Sequence, residues 1–191
     1  MSIKRFSLHV LYKILPLDIY IKMVYRFYFK ESINLKSPVK FSEKLWYLKK
    51  YYRNHNDGFI ARLYDKYTVR EYIAEKVGEK YLNKIYHVYN NPHSIELKEL
   101  PNSFVLKLTQ SCGCNFLCSD KSLITQDEVI KVTSKWMKDY KKSVAFSNEE
   151  SFHYNGEPKI LCEKLILDKH NNFPFDYKIY CINGKAQFTR V

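Results

Sequence analysis

Phe104–Asn115 (FVLKLTQSCGCN) is the stretch on which the fold turns. Its first five residues are large and apolar apart from Lys107, the composition of a strand with at least one buried face. Thr109-Gln110-Ser111-Cys112-Gly113 follows, small and hydroxyl-bearing, which suits a turn. Asn115–Cys118 (NFLC) can then return antiparallel to the first strand. A lysine inside such a strand points outward to solvent or projects into a cleft, and periodicity alone favours outward. The turn shifts that balance. Backbone N–H groups and hydroxyls of a small-residue turn can be aimed at phosphate. An ammonium on a long stem then serves as a mobile point charge for the same group.

Working outward, Thr125 and Glu128 form a capping box before a helix that runs to about Lys142. Val129, Thr133, Trp136, Met137 and Tyr140 make its apolar stripe. Lys159–Leu167 (KILCEKLIL) reads as a strand, and so does Asp176–Asn183. Asn183-Gly184 signals a type I′ hairpin into a last strand, Ala186–Val191. Upstream, Ile85–Tyr89 (IYHVY) is a short strand, followed by a loop that Pro92 and Pro101 punctuate. Before it, Phe59–Val77 reads as one helix, with Ala61, Tyr64, Thr68, Tyr72 and Ile73 at helical spacing and Gly78 as its left-handed stop. Another helix starts near Phe41, with Ser42 as cap, Glu43 at the positive end and Phe41 stapled onto Trp46. Helices, then strand–turn–strand, helix, strand and hairpin make an α+β fold with mostly antiparallel pairing. We divide the chain into a helical segment (1–58), a first α+β part (59–167) and the start of a second, incomplete one (168–191).

The 191 residues carry a net charge of +12, which favours anionic partners. Of the five cysteines, Cys112, Cys114 and Cys118 cluster as C-x-C-x3-C, without the second close pair of a zinc site. An odd number with no disulfide pattern fits reduced thiols in a cytoplasm. In the first 29 residues, charges interrupt every apolar run, which excludes a spanning helix and a signal peptide. Two readings stand there: a basic amphipathic segment touching an anionic membrane face, or two helices broken near Pro16 that pack on the domain. LKKYYR and KWMKDYKK interleave Tyr with Lys, the pattern of solvated helix faces or, as an alternative function, of a non-catalytic basic module that binds acidic polymer or nucleic acid, with nucleic acid the less expected partner.

No Walker A loop, GxGxxG, HExxH or GxSxG is present, and the six histidines are scattered. Beside Lys107, Glu163 stands among apolar neighbours in ILCEKLIL. It is either an outward carboxylate paired with Lys164 or a cross-strand lysine, or a polar group lining an apolar adenine slot. Asp176 and Lys178 lie two apart on one side of a strand, as a surface ion pair or with Lys178 directed at phosphate or an acidic substrate.

FSEKLWYLKKYYRN, DKYTVREYIAEKVGEKYL, LPNSFVLKLTQSCGCN, ILCEKLILD and DYKIYCINGKAQF occur in this order from Phe41 onward. Together they resemble the TupA-like ATP-grasp proteins, named for teichuronopeptide biosynthesis and associated with surface polysaccharides. The resemblance implies an ATP-grasp fold, whose two α+β subdomains close on ATP with Mg2+. It implies a ligase that activates a carboxylate as an acyl phosphate and joins it to an amine, attaching an amino acid or peptide to a uronic acid polymer. It places Lys107 on the ATP phosphates and Ser111, Cys112 and Gly113 in the mobile loop over them. Glu163, Lys164 and Leu165 fall in the hinge beside adenine, and Asp176 and Lys178 on the strand opening the second subdomain, with Lys178 as the catalytic candidate. Asp65, Lys66 and Arg70 match a helix motif of the family that has no role derivable from sequence. The implied partners are ATP, an acidic polysaccharide or its precursor and, peripherally, the inner face of the cell membrane.

Two departures modify the expectation. The family loop reads close to N-H-G-S-G, whereas here Gln110 and Ser111 replace a histidine and a glycine. Ser111 can still donate to phosphate, but the loop loses conformational freedom. The metal ligands of ATP-grasp enzymes lie on late strands, and the sequence stops at Val191 before any such strands. A truncated, inactive relative is therefore a second expectation.

Overall fold

The computed structural model describes residues 3–55, 58–145, 153 and 156–191. Helix α1 (Ile3–Ile14) and helix α2 (Leu17–Phe29) are separated at Pro16, whose ring cannot continue the first helix. Tyr20, Ile21, Val24 and Tyr25 of α2 are buried with Ile33 and with Trp46 of α3 (Phe41–Asn54). The α3 start differs from expectation. Lys40 is the N-cap, and Ser42 lies inside the helix with its hydroxyl 2.8 Å from that of Tyr25. Phe41 is exposed and does not staple onto buried Trp46. Glu43 supplies the cap: its carboxylate accepts from the N–H groups of Val39 and Lys40 at 2.9 and 3.0 Å, and from Asn34 at 2.9 Å.

Phe59–Val77 is two helices, α4 (Phe59–Tyr64) and α5 (Val69–Val77). The break is made by Asp65, whose side chain accepts from the N–H groups of Tyr67 and Thr68 at 2.7 and 3.0 Å. A short carboxylate that bonds its own backbone two and three residues on competes with the helix ladder. Gly78 ends α5 at φ 98 and ψ 152, positive but outside the left-handed helical region expected for it.

The sheet runs in the order β1-β4-β2-β3, antiparallel throughout: β1 (Ile85–Tyr89), β2 (Phe104–Leu108), β3 (Asn115–Cys118) and β4 (Ile160–Glu163). The expected strand at 159–167 is shorter, ending at Glu163. One face of the sheet, with Phe104, Leu106, Leu108, Ile160 and Cys162, packs against helix α6 (Gln126–Ala145) through Val129 and Tyr140. Burying each large side chain of this kind contributes about 1.5–3 kcal/mol. The α6 capping box is present: Thr125 N–H donates to Glu128 at 2.8 Å, and Glu128 N–H donates to Thr125 Oγ1 at 3.2 Å. A second sheet is the hairpin of β5 (Lys178–Ile182) and β6 (Lys185–Arg190), turned by Asn183 (φ 51) and Gly184 (φ 75). That turn has the two positive φ values that a type I′ hairpin requires. Every residue of both strands is exposed. The chain is thus an α+β structure with an antiparallel sheet.

Candidate functional site

Alternation on β2 sends Phe104, Leu106 and Leu108 to the α6 face and leaves Val105 and Lys107 on the other. On β4 the same rule leaves Leu161 and Glu163 on that second face. The register pairs Lys107 with Leu161 and Val105 with Glu163, so Lys107 and Glu163 are diagonal neighbours. Lys107 Nζ donates to Glu163 Oε2 at 2.7 Å, with side chains 30% and 7% exposed. Arg70, from α5, approaches Glu163 Oε1 at 3.7 Å and donates to the Asn83 carbonyl at 2.6 Å. Asn83 in turn donates to the Lys164 carbonyl at 2.8 Å, and Lys164 N–H to the Lys84 carbonyl at 2.9 Å. Arg70 thus reaches the chain where it leaves β4, at Glu163 directly and at Lys164 through Asn83. The carboxylate is nearly buried between two cations and is held by both.

The turn after β2 is organised by Lys66. Its N–H donates to the Thr109 carbonyl at 3.1 Å. Its ammonium donates to the carbonyls of Leu108 at 3.0 Å, Thr109 at 3.2 Å and Ser111. Burial pushes the Lys66 pKa below its ordinary value, against the opposing pull of Cys112. Thr109 is fully buried, its hydroxyl accepting from Lys159 N–H at 3.0 Å. Gln110 is turned inward too, accepting from the Tyr140 hydroxyl at 2.5 Å. These contacts fix the base of the turn and leave its tip, 111–113, projecting.

At the tip, Cys112 is exposed and Gly113 has φ +77 with nothing within 4 Å of where a Cβ would stand. Hydrogen bonds among the described residues do not use the N–H groups of Ser111, Cys112 or Gly113. Three such N–H groups beside a strand lysine suit a phosphate-bearing ligand. A cleft of about 260 Å³ adjoins the tip, walled by Tyr64, Trp136 and Tyr140 and floored by Ser111, Cys112 and Cys114.

The structure therefore brings Lys107 and Glu163 together, with Lys164 and Leu165 continuing from Glu163 and Ser111, Cys112 and Gly113 across the adjoining turn. Asp176 and Lys178 stand elsewhere. They pair with each other on the exposed hairpin side, 77% and 56% exposed. The D-K-x-x-x-R motif now has a contact for each member: Asp65 breaks the helix, Lys66 holds the turn and Arg70 holds Glu163. The tertiary contacts of Lys66 and Arg70 were hidden in the sequence. The signal for Asp65 was local: an Asp two and three residues before Tyr67 and Thr68, able to bond their N–H groups.

A strand lysine clamped beside an open turn is an arrangement that suits a phosphate-bearing ligand. The TupA-like ATPgrasp family model matches residues 43–191, and the chain belongs to that family. It is an ATP-grasp ligase-like protein, of a fold that binds ATP. No curated protein and no solved structure matches the chain. ATP-grasp families generally use Mg2+ with ATP. Among the described residues no group of three or more His, Cys, Asp or Glu is placed to hold a metal ion. No described helix is long and apolar enough to cross a membrane.

Proposed function

We propose that the protein is an ATP-dependent carboxylate–amine ligase of surface polysaccharide biosynthesis. It joins an amino acid or peptide to a uronic acid polymer, working in the cytoplasm at the inner face of the cell membrane. What supports this reading is the match of the TupA-like ATPgrasp family model to residues 43–191; we place the phosphate end where Lys107 meets Glu163 at 2.7 Å, beside an open, small-residue turn. Lys107 and the N–H groups of Ser111, Cys112 and Gly113 take the ATP phosphates. Glu163 orients Lys107, and the backbone at Lys164 and Leu165 borders the base. A carboxylate oxygen attacks the γ-phosphorus, the bond to ADP breaks, and an acyl phosphate forms. The amine then attacks the acyl carbon, phosphate leaves, and the amine proton passes to solvent. Electrostatic positioning is the main service a protein gives such a transfer. Lys178 receives the acidic substrate or a phosphate oxygen, releasing Asp176.

Nucleotide titration of the purified chain tests the assignment. Lys107→Ala is expected to weaken ATP binding about tenfold or more, the loss of one charge-assisted contact of about 1.5–3 kcal/mol. Unchanged affinity would remove Lys107 from the site. Polymer binding that ignores ATP and falls steeply with salt would make the chain a non-catalytic basic module.

A further inference from the structure

Residues 1–42 precede the stretch that the family model matches. They also lie where charge is concentrated. Residues 1–55 hold twelve Lys and Arg against three Asp and Glu, a net +9 of the chain's +12. All three acids are engaged inside this helical unit. Asp18 pairs with Lys50 at 2.6 Å, Glu31 pairs with Lys40, and Glu43 is taken up by backbone N–H groups. The remaining cations set the field of the surface.

One end of the unit adds apolar area to that charge. Helix α2 finishes in Phe27-Tyr28-Phe29-Lys30, and α3 begins at Phe41. The Tyr25–Ser42 contact at 2.8 Å and the Lys40–Glu31 pair bring these two ends together. There the large side chains face outward: Val39 is 76% and Phe41 77% exposed, and Phe27, Tyr28 and Phe29 are each about half exposed. Arg26, Lys30, Lys36 and Lys44 of the same segments are exposed too, and Lys30 Nζ lies 5.0 Å from the Phe27 ring centre. Large apolar side chains left exposed together at one end of a unit point to an interaction site. Its composition selects the occupant. An acidic polymer would satisfy the cations and leave Val39 and Phe41 in water. An anionic bilayer accepts both, because aromatic rings and aliphatic tips settle into the headgroup zone while Lys and Arg meet lipid charge.

We propose that this end of the helical unit docks on an anionic lipid bilayer, with Phe27, Tyr28 and Phe41 entering the headgroup zone and Lys30, Lys36 and Lys44 meeting lipid phosphates. This specifies the membrane contact of the proposed function and does not require the ligase chemistry. Sedimentation of the full chain with vesicles tests it. The vesicles are phosphatidylcholine alone or with one third phosphatidylglycerol, at about 0.05 M and about 0.5 M salt. The chain is expected to pellet with the anionic vesicles at low salt only. Each cation near an anionic leaflet is worth about 1 kcal/mol, or about fivefold. Lys30→Gln with Lys44→Gln should therefore weaken partitioning about thirtyfold, and Phe27→Ser with Phe41→Ser about tenfold. Circular dichroism should be unaltered in both, since these side chains lie on the surface. Failure to pellet with anionic vesicles, equal pelleting with neutral ones, or unaltered partitioning of both variants overturns the proposal. So does a polyuronate or nucleic acid binding that these variants weaken while vesicle binding stays intact. ATP affinity is measured on the same samples. Its absence alongside variant-sensitive vesicle binding supports this proposal and counts against the ligase reading alone.

Discussion

Lys66 directs a half-buried ammonium at the main-chain oxygens of Leu108, Thr109 and Ser111. Burial disfavours its charge, and the carbonyls offset that cost only while the turn keeps its shape. Lys66→Met retains the stem and removes the donors. It is expected to lower stability by about 1.5–3 kcal/mol, the range for charged hydrogen bonds, and to weaken nucleotide binding. Urea unfolding and nucleotide titration measure the two effects separately. Lys66→Arg should not rescue either, because a planar fork cannot converge on three carbonyls as a rotating ammonium does. Lost stability with full nucleotide affinity would reduce Lys66 to a structural tie. At this scale the sequence showed candidates and not contacts. Lys107 and Glu163 could each be singled out for a charge among apolar neighbours. Their meeting depends on a register 56 residues apart in the chain, and no local pattern encodes that.

Elements were legible where their signals are local. Phe104–Leu108 and Asn115–Cys118 stand where apolar composition and turn chemistry placed them, and the Thr125–Glu128 box caps its helix. Asn183-Gly184 makes the expected turn. Helical spacing across 59–77 was misleading because the Asp65 carboxylate outcompetes the ladder and Lys66 N–H is drawn away to Thr109. Ser42 is not the cap because the helix begins at Phe41, with Lys40 as N-cap, and Glu43 reaches back to three N–H groups before it. The turn between β2 and β3 offers an elemental test through its thiols. Cys112 is exposed, whereas Cys118 and Cys162 are buried, and burial pushes the Cys162 thiol up to about 12. In a Cys181→Ser background at about pH 8, a maleimide should label Cys112 first and reach Cys162 only on unfolding. Saturating ATP should slow the Cys112 reaction several-fold if the turn covers the phosphates. An unaltered rate in the presence of bound ATP would place the nucleotide away from the turn.

At the scale of the whole molecule, the buried apolar residues among those described form two clusters with no shared member. One holds Tyr20, Ile21, Val24, Tyr25 and Trp46, the other the sheet, α6 and, at its edge, Trp136. The chain has two tryptophans, so each cluster carries its own fluorescent reporter. Trp136→Phe isolates the helical cluster and Trp46→Phe the sheet. Glu43 links the first of these to pH. Backbone N–H groups of Asn34, Lys40 and Val39 hold its carboxyl below the usual carboxylate range. A folded-state pKa below the unfolded value of about 4.3 gives stability that is complete above that value. It is lost as pH falls through the folded-state pKa. In the Trp136→Phe background, thermal unfolding should shift to lower temperature as pH falls below about 4. Glu43→Gln should lower the same transition already at neutral pH and flatten its acid dependence, since the titrating group is gone. The sheet transition, followed in Trp46→Phe, should keep its position when Glu43→Gln is added, because the Glu43 contacts lie wholly within residues 34–43. A matching fall in both transitions would mean that the two clusters unfold as one cooperative unit, and a boundary near residue 58 would then have no thermodynamic meaning.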